Sequence, residues 1–499
     1  MNEHTLAAAL TRAMRRWPDR PAIRFADRML TYAELDHRSA RLGGAYRELG
    51  VRRGDRVVCQ LGNRPEHLVA AVTAWRTAAV HVAAEPALPG PALCGYLERT
   101  GAKVLLHEPA ANVEDPVRTV RERHPDVAVL LLGDDLPGAA VADPPPPTED
   151  DAAAIFTTSG STGVPKMPMG YHGKLCRSWT RLGKELGFGP EDVHLGYLPL
   201  AHGLGLMLTT AALLTGGEVV LLTRFSPTEV LRIVEQDGAT VLHGSPTHFT
   251  LLLDRLDREP HDIGSLRIGV ASGAAFSTDL LRTIFDRMAM DLMLMYGASE
   301  GVGVGTTDRT EMLKGSVGRP MPGTVAIMDE AGREVPRGQR GEIAFSREAS
   351  PVRYWAGLQG PAPRQATGWY HSGDLGRIDA DGLLYVLGRV RDQINRGGEK
   401  VDPREVEEAL RRCAGVADAA VLGVPNPVLG EVVCACVVPA AGREVSLPDL
   451  REALGRELAR YKLPEELRIL RRIPRTGLGK VDTTLLRAEV TGNGSACFR

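Results

Sequence analysis

The chain has 499 residues, 43% hydrophobic and 24% charged, with a formal net charge of −2 at pH 7. That length exceeds one ordinary core and implies two or three units, and the near-neutral balance excludes general binding to nucleic acid or an anionic membrane. No apolar run approaches the length of a membrane span, and the N-terminus lacks a basic-then-apolar export pattern, so a cytoplasmic location is expected.

In chain order, residues 6–15 have helical spacing, and residues 22–25 and 29–32 bracket a turn as in a small hairpin. Residues 32–49 read as an amphipathic helix ended by Gly50. Then follow a strand at 56–60, a helix at 66–78, a strand at 80–82, a helix at 91–99 and a strand at 103–106. Strands alternating with helices predict a parallel, doubly wound sheet. The tetraproline 144–147 reads as an extended connector ahead of the apolar run 152–156. Alternation resumes at 218–222, 227–236, 240–243, 246–256, 266–271 and 278–288. Between residues 317 and 386, short β-type runs separated by Gly, Pro and Asp predict a barrel-like β region.

Past Gly388 a compact unit is expected, with helices at 403–413 and 447–459 and strands at 419–424 and 432–438. Cys434 and Cys436 alternate in the second strand, so both should face one side as buried thiols. The seven cysteines are scattered, odd in number and without a C-x-x-C pair, which argues against a disulfide framework or a structural zinc.

The most informative stretch is Thr157-Thr158-Ser159-Gly160-Ser161-Thr162-Gly163-Val164-Pro165-Lys166. Glycines turn backbone N–H groups toward an anion, hydroxyls add donors and Lys166 adds positive charge, so the loop is suited to phosphate. Its spacing does not fit a Walker A loop. Tyr296-Gly297-Ala298-Ser299-Glu300-Gly301 follows an apolar run, where ligands of an open parallel sheet collect. Glu300 alone reads as a solvated acid; beside a triphosphate loop it reads as a Mg²⁺ ligand. Asp374, in Trp369-Tyr370-His371-Ser372-Gly373-Asp374, is expected in a tight turn where its carboxylate can accept bonds from ribose hydroxyls, with Arg389 in reach of the same sugar. Gly397-Gly398 precede a helix start, and Lys480 sits on a Gly-flanked loop near the C-terminus.

Taken together and in order, these motifs resemble the adenylate-forming superfamily of acyl-CoA synthetases, peptide-synthetase adenylation domains and luciferases. The resemblance implies an α/β chain with a large N-terminal domain (1–390) of doubly wound sheets plus the β region, and a small mobile α+β C-terminal domain (391–499). It implies an ATP-dependent acid–AMP ligase: a carboxylate attacks the α-phosphate and pyrophosphate leaves. Two anions must meet, so most of the catalysis is charge neutralisation and alignment. By resemblance, residues 157–166 hold the β,γ-phosphates, Glu300 and Thr158 bind Mg²⁺, and Tyr296, Gly297 and Ser299 complete the nucleotide site. Gly273 and Ala274 flank adenine, Asp374 and Arg389 hold the ribose, and Lys480 bridges the substrate carboxylate and the α-phosphate. Arg391 takes the hinge position, and Gly397 and Gly398 the loop that meets a thiol acceptor.

The segment from Gly388 to Val401, and the exit Lys166-Met167-Pro168-Met169, look like 2,3-dihydroxybenzoate–AMP ligases rather than fatty acyl-CoA synthetases. His202 matches a gate near the substrate carboxylate. Gly203 stands where amino-acid domains carry Asp and dihydroxybenzoate ligases carry Asn, which disfavours an α-amino acid. Ser245, Ser272, Met295, Gly301 and Val302 make a small, apolar wall suited to an aryl acid. The implied acceptor is the phosphopantetheine of a stand-alone carrier protein in secondary metabolism. The alternatives are free coenzyme A or a nitrogen nucleophile giving an amide. Neither nucleic acid nor membrane is implied as a partner, and a monomer or homodimer is expected. A catalytically silent binding module is disfavoured, because Lys480, Glu300 and Asp374 are all present.

Overall fold

Two twisted sheets of mainly parallel strands carry the larger part of the molecule. The computed structural model describes residues 4–108, 116–133, 136–140, 144–156, 167–297, 303–346, 353–355, 368–397, 399–476 and 479–490, with backbone alone at 391 and 400. The first sheet has six strands in the order Ala128–Leu131, Val104–His107, Arg56–Gln60, Val80–Ala83, Ala152–Ile155 and Met169–Tyr171. Only its last pair is antiparallel. The central strands read Val57-Val58-Cys59 and Val104-Leu105-Leu106 and are fully buried, as strands covered on both faces must be.

The second sheet has eight strands: Gly303–Thr306, Asp291–Gly297, Ile268–Ala271, Val241–Gly244, Val193–Gly196, Glu218–Leu221, Pro21–Phe25 and Arg28–Thr31. The hairpin read from residues 22–32 is present, and its first strand also pairs in parallel with Glu218–Leu221. One core joins the two sheets, with Val57, Cys59 and Leu106 in the same cluster as Val219 and Leu221. The helix Gly203–Thr215 belongs to that junction. It is apolar on nearly every side, as a helix enclosed by other elements should be, and ends at Gly216 with φ 88°. Its lack of a polar face hid it from periodicity. The helix His172–Glu185 was also unassigned.

The region expected to be barrel-like is a four-stranded antiparallel sheet: Val325–Met328, Gly341–Ser346, Trp369–Ile378 and Leu384–Arg389. Beyond it, Ile394–Arg396, Glu399–Val401, Val416–Asn426, Gly430–Pro439 and Glu466–Ile469 form a separate five-stranded sheet. This sheet has its own core around Val401, Val406, Leu410 and Val433, while Cys434 and Cys436 share a buried cluster on the other face. The last helix assigned there ends early, at Leu454, with Gly455 as its cap, rather than at residue 459. The fold is thus mixed α/β, with a large N-terminal part and a small C-terminal one.

Candidate active site

Within the second sheet the strands from Val193 to Gly297 that neighbour one another run parallel, so their carboxyl ends open on one side. There the chain places Ser245 after Gly244, Ser272 and Gly273 after Ala271, and Tyr296 and Gly297 at the end of Asp291–Gly297. Gly273 has φ 91°, a left-handed conformation that keeps the turn tight, and a Cβ there would lie 3.7 Å from Ser245 Cβ. Ala274 is exposed beside it, and Met295 is half-buried against the sheet core.

Asp374 lies inside the strand Trp369–Ile378, not in a tight turn. Gly373 explains the difference: its φ of 79° lets the strand kink without ending, and its N–H donates to Glu342 Oε1 at 2.9 Å. Ser372 Oγ donates to the Ile343 carbonyl (2.7 Å) and accepts from the Asp374 N–H (3.0 Å), which fixes the backbone under the acid. Across the ladder Asp374 faces Arg389, whose Nε lies 3.2 Å from Asp374 Oδ1. The Tyr296 hydroxyl donates to Asp374 Oδ2 at 2.8 Å. Burial, reinforced by the Asp374 charge, pushes the Tyr296 phenol up, so it remains a neutral donor.

Lys480 comes to this group from the far end of the chain. Its loop is a hairpin closed by an Arg475–Val481 bridge, with Thr476 N–H donating to the Lys480 carbonyl at 2.8 Å. Arg475 is tied to Asp418 at 2.6 Å, and Thr247 Oγ1 donates to the Gly479 carbonyl at 3.0 Å, so the loop is seated on the segment that follows Ser245. Lys480 is exposed as a residue, and desolvation by the protein around its ammonium lowers its pKa. Repulsion from Arg389 and Arg404 adds to that lowering, and Asp374 opposes it.

His202 holds the N-cap position of the helix Gly203–Thr215, and its Nε2 lies 2.7 Å from Glu85 Oε1. That hydrogen bond, against desolvation, holds the Glu85 carboxyl below its ordinary range. Gly203 is not beside empty space: a Cβ there would lie 3.3 Å from the Phe156 ring. Neither Glu85 nor Phe156 was expected from sequence, although Phe156 directly follows the strand Ala152–Ile155 and Glu85 lies two residues past Val80–Ala83, near the strand ends that collect ligands. Ser245 pairs with His248 Nδ1 at 2.9 Å, and Tyr197 and Phe225 pack around that imidazole.

The candidates Thr157, Thr158, Ser159, Gly160, Ser161, Thr162, Gly163 and Lys166 lie outside the described residues, as do Ser299, Glu300, Gly301, Val302 and Gly398. Arg391 falls in the short 3₁₀ turn Val390–Asp392 that joins the four-stranded sheet to the C-terminal one. Gly397 has φ 58°, and its N–H donates to the Leu429 carbonyl.

Residues 10–355 match the model of the AMP-binding enzyme family, and residues 405–480 match that of the AMP-binding enzyme C-terminal domain. The chain belongs to the AMP-binding enzyme family. It is 35% identical to a feruloyl-CoA synthase of Amycolatopsis sp over 496 residues, covering 98% of this chain and 99% of that one. It is 30% identical to a 2,3-dihydroxybenzoate-AMP ligase of Bacillus subtilis (strain 168), with 97% and 93% covered. ATP-bound MatB from Rhodopseudomonas palustris superposes with a TM-score of 0.86 at 28% identity, over 98% and 99% of the two chains. As a member of the AMP-binding enzyme family, the chain is an adenylate-forming acid ligase. Among the described residues no helix is long and apolar enough to cross a membrane.

Proposed function

We propose that this AMP-binding enzyme activates an aryl-type acid, without an α-amino group, to its acyl-adenylate and passes the acyl group to coenzyme A. The observation that carries the reading is the seat of Lys480: Asp374 and Arg389 act on its charge, and the carbonyl of the preceding Gly479 accepts from Thr247. This seat supports a role for the ammonium between the nucleotide and the acyl group. A carboxylate oxygen bonds to the α-phosphorus as the bond to pyrophosphate breaks, and Lys480 neutralises the two anions that must approach. The Asp374 carboxylate, oriented by Tyr296 and Arg389, accepts from the ribose hydroxyls; Gly273 and Ala274 border the base. Residues 157–166 are proposed to hold the outgoing phosphates. Glu300 and Thr158 offer the hard oxygen donors that Mg²⁺ takes, and the ion when bound adds positive charge to the leaving pyrophosphate.

Three features support a neutral aryl substrate. Gly203 offers no counter-charge for an ammonium, the Phe156 ring covers it, and the Glu85 carboxylate is already engaged by His202. In the second half-reaction a thiol attacks the acyl carbonyl and AMP leaves. We propose that the C-terminal part (391–499) turns about the Arg391 segment for this step, withdrawing Lys480 and bringing Gly397 and Gly398 to the thiol. Coenzyme A is preferred because the 35%-identical relative is a feruloyl-CoA synthase. The likeness of residues 388–401 to dihydroxybenzoate ligases, with the Bacillus relative, favours carrier-protein phosphopantetheine as a second reading.

The test is pyrophosphate exchange across benzoic, hydroxycinnamic, fatty and α-amino acids, followed by acyl transfer to coenzyme A and to phosphopantetheinylated carrier proteins. Hydroxycinnamic or benzoic acids should exchange at least about tenfold faster than α-amino acids, and Lys480→Ala should cut that exchange by roughly 10²-fold while sparing transfer from synthetic acyl-AMP. An α-amino acid preference would overturn the substrate class, and thioester formed only on a carrier protein would overturn the acceptor.

A further inference from the structure

Away from the active site, the first sheet buries three metal-ligating side chains against one another. Cys59 and His81 stand on the adjacent parallel strands Arg56–Gln60 and Val80–Ala83. The register pairs Val57 with His81 and Cys59 with Ala83, so Cys59 and His81 project from one face, diagonally opposed. His67, on the helix Pro65–Arg76, packs onto that face with its ring centroid 5.4 Å from that of His81. The Cys59 thiol and one nitrogen from each imidazole all lie within 4.8 Å of one another, and none of the three residues is more than 1% exposed.

Their hydrogen bonding is incomplete in an informative way. His67 Nδ1 lies 2.9 Å from the Leu61 carbonyl, and donating its proton there leaves the Nε2 lone pair free. That Nε2 has no partner, and neither nitrogen of His81 has one. Unpaired buried polar atoms are costly, and an aromatic hydrocarbon side chain would fill the same space without that cost. Burial lowers the His67 pKa to about 4 and that of His81 further, so both rings are kept as neutral lone-pair donors. Absence of a C-x-x-C pair argued against zinc from sequence, yet the spacing 59, 67 and 81 converges only through the strand register and the helix that covers it.

We propose that Cys59, His67 and His81 supply three of the four ligands of a buried site for a single Zn²⁺ ion, a water molecule taking the fourth position. On binding, the Cys59 thiol releases its proton and the thiolate and two imidazole nitrogens close on the ion. Bonds of roughly 2.0–2.3 Å require the donor atoms to approach to about 3.5 Å, a change that small side-chain rotations supply. The ion–thiolate unit retains one positive charge. Glu108 lies close enough to act electrostatically on both Cys59 and His67, and so offsets it. Because all three ligands are sealed in the core, the ion enters as the chain folds and resists chelators afterwards.

The test uses the full chain expressed in zinc-supplemented medium and dialysed against EDTA, with metal content measured by mass spectrometry. Close to one zinc per chain should remain, falling below about a fifth in Cys59→Ser and in His81→Phe. Protein grown with Co²⁺ should show a near-ultraviolet thiolate-to-cobalt band. Less than about a tenth of an equivalent of zinc in the wild type overturns the site, as does metal content unchanged in the variants. Should the variants fail to fold, a cobalt-loaded wild type without the thiolate band overturns it alone.

Discussion

Gly203 acquires its meaning from a ring that precedes it by almost fifty positions. Its missing side chain disfavours an ammonium-bearing substrate, and the structure adds that a Cβ would press on Phe156 at 3.3 Å. Gly203→Asp would therefore displace Phe156 and bring a second carboxylate toward Glu85, which His202 already engages. Activation of a neutral aryl acid should fall by at least about tenfold in kcat/KM, mostly through KM, because wall contacts act alike on ground and transition states. Pyrophosphate exchange against substrate concentration checks this, and an unchanged KM would remove Gly203 and Phe156 from the acyl wall. Asp374, Arg389 and Lys480 could be put forward from the sequence because each sits in a short contiguous motif. Glu85 and Phe156 could not, because their importance depends on which strands lie side by side.

At the scale of elements, the residues around Lys480 show how backbone contacts seat a loop. Gly479 has φ 76°, its N–H donates to the Thr476 carbonyl, and a Cβ there would fall 2.6 Å from Ser245 Oγ and 3.2 Å from Thr247 Cβ. Gly479→Ala combines a left-handed backbone strain with that collision, so the hairpin cannot seat on the segment after Ser245. Adenylation should slow by about 10²-fold, the scale of a misplaced reacting group, while transfer from synthetic acyl-AMP keeps most of its rate. Measuring the two half-reactions separately decides the matter: equal losses in both would mean that the substitution damages the C-terminal part as a whole. The helix Tyr32–Glu48, with one apolar face and a Thr31–Glu34 capping box, was readable from spacing. Gly203–Thr215 was not, since enclosure on all sides erases the period that reveals a helix.

For the whole molecule, the alternation of strands and helices identified a doubly wound α/β chain, but which strands belong to which sheet was not readable. It rests on pairings such as Ile23 with Val219, which no local pattern encodes. Among the described residues the interior holds seven histidines at 5% exposure or less, and six of them besides His107 bear on acid stability: His67, His81, His172, His194, His243 and His248. Burial lowers each: to about 4 for His67, His172 and His248, to about 3 for His243, and well below the ordinary value for His81 and His194. The folded state therefore binds fewer protons than the unfolded one as pH falls through the histidine range. Stability is fully present above pH ~6.5, the unfolded value, and is lost progressively toward the folded values near 4 and below, at about 1.4 kcal/mol per pH unit for each histidine. Several such groups acting together should destabilise the protein by several kcal/mol between pH 7 and pH 5, well before the carboxylates titrate. Urea midpoints at the two pH values, with proton uptake on unfolding measured at pH 5.5, check the sign and the number of groups. A metal bound by His67 and His81 leaves the direction unchanged, because a coordinated imidazole must also shed its proton before the chain is folded. Uptake near zero would mean that these imidazoles are solvated or charged inside the fold, and would remove the acid sensitivity with it.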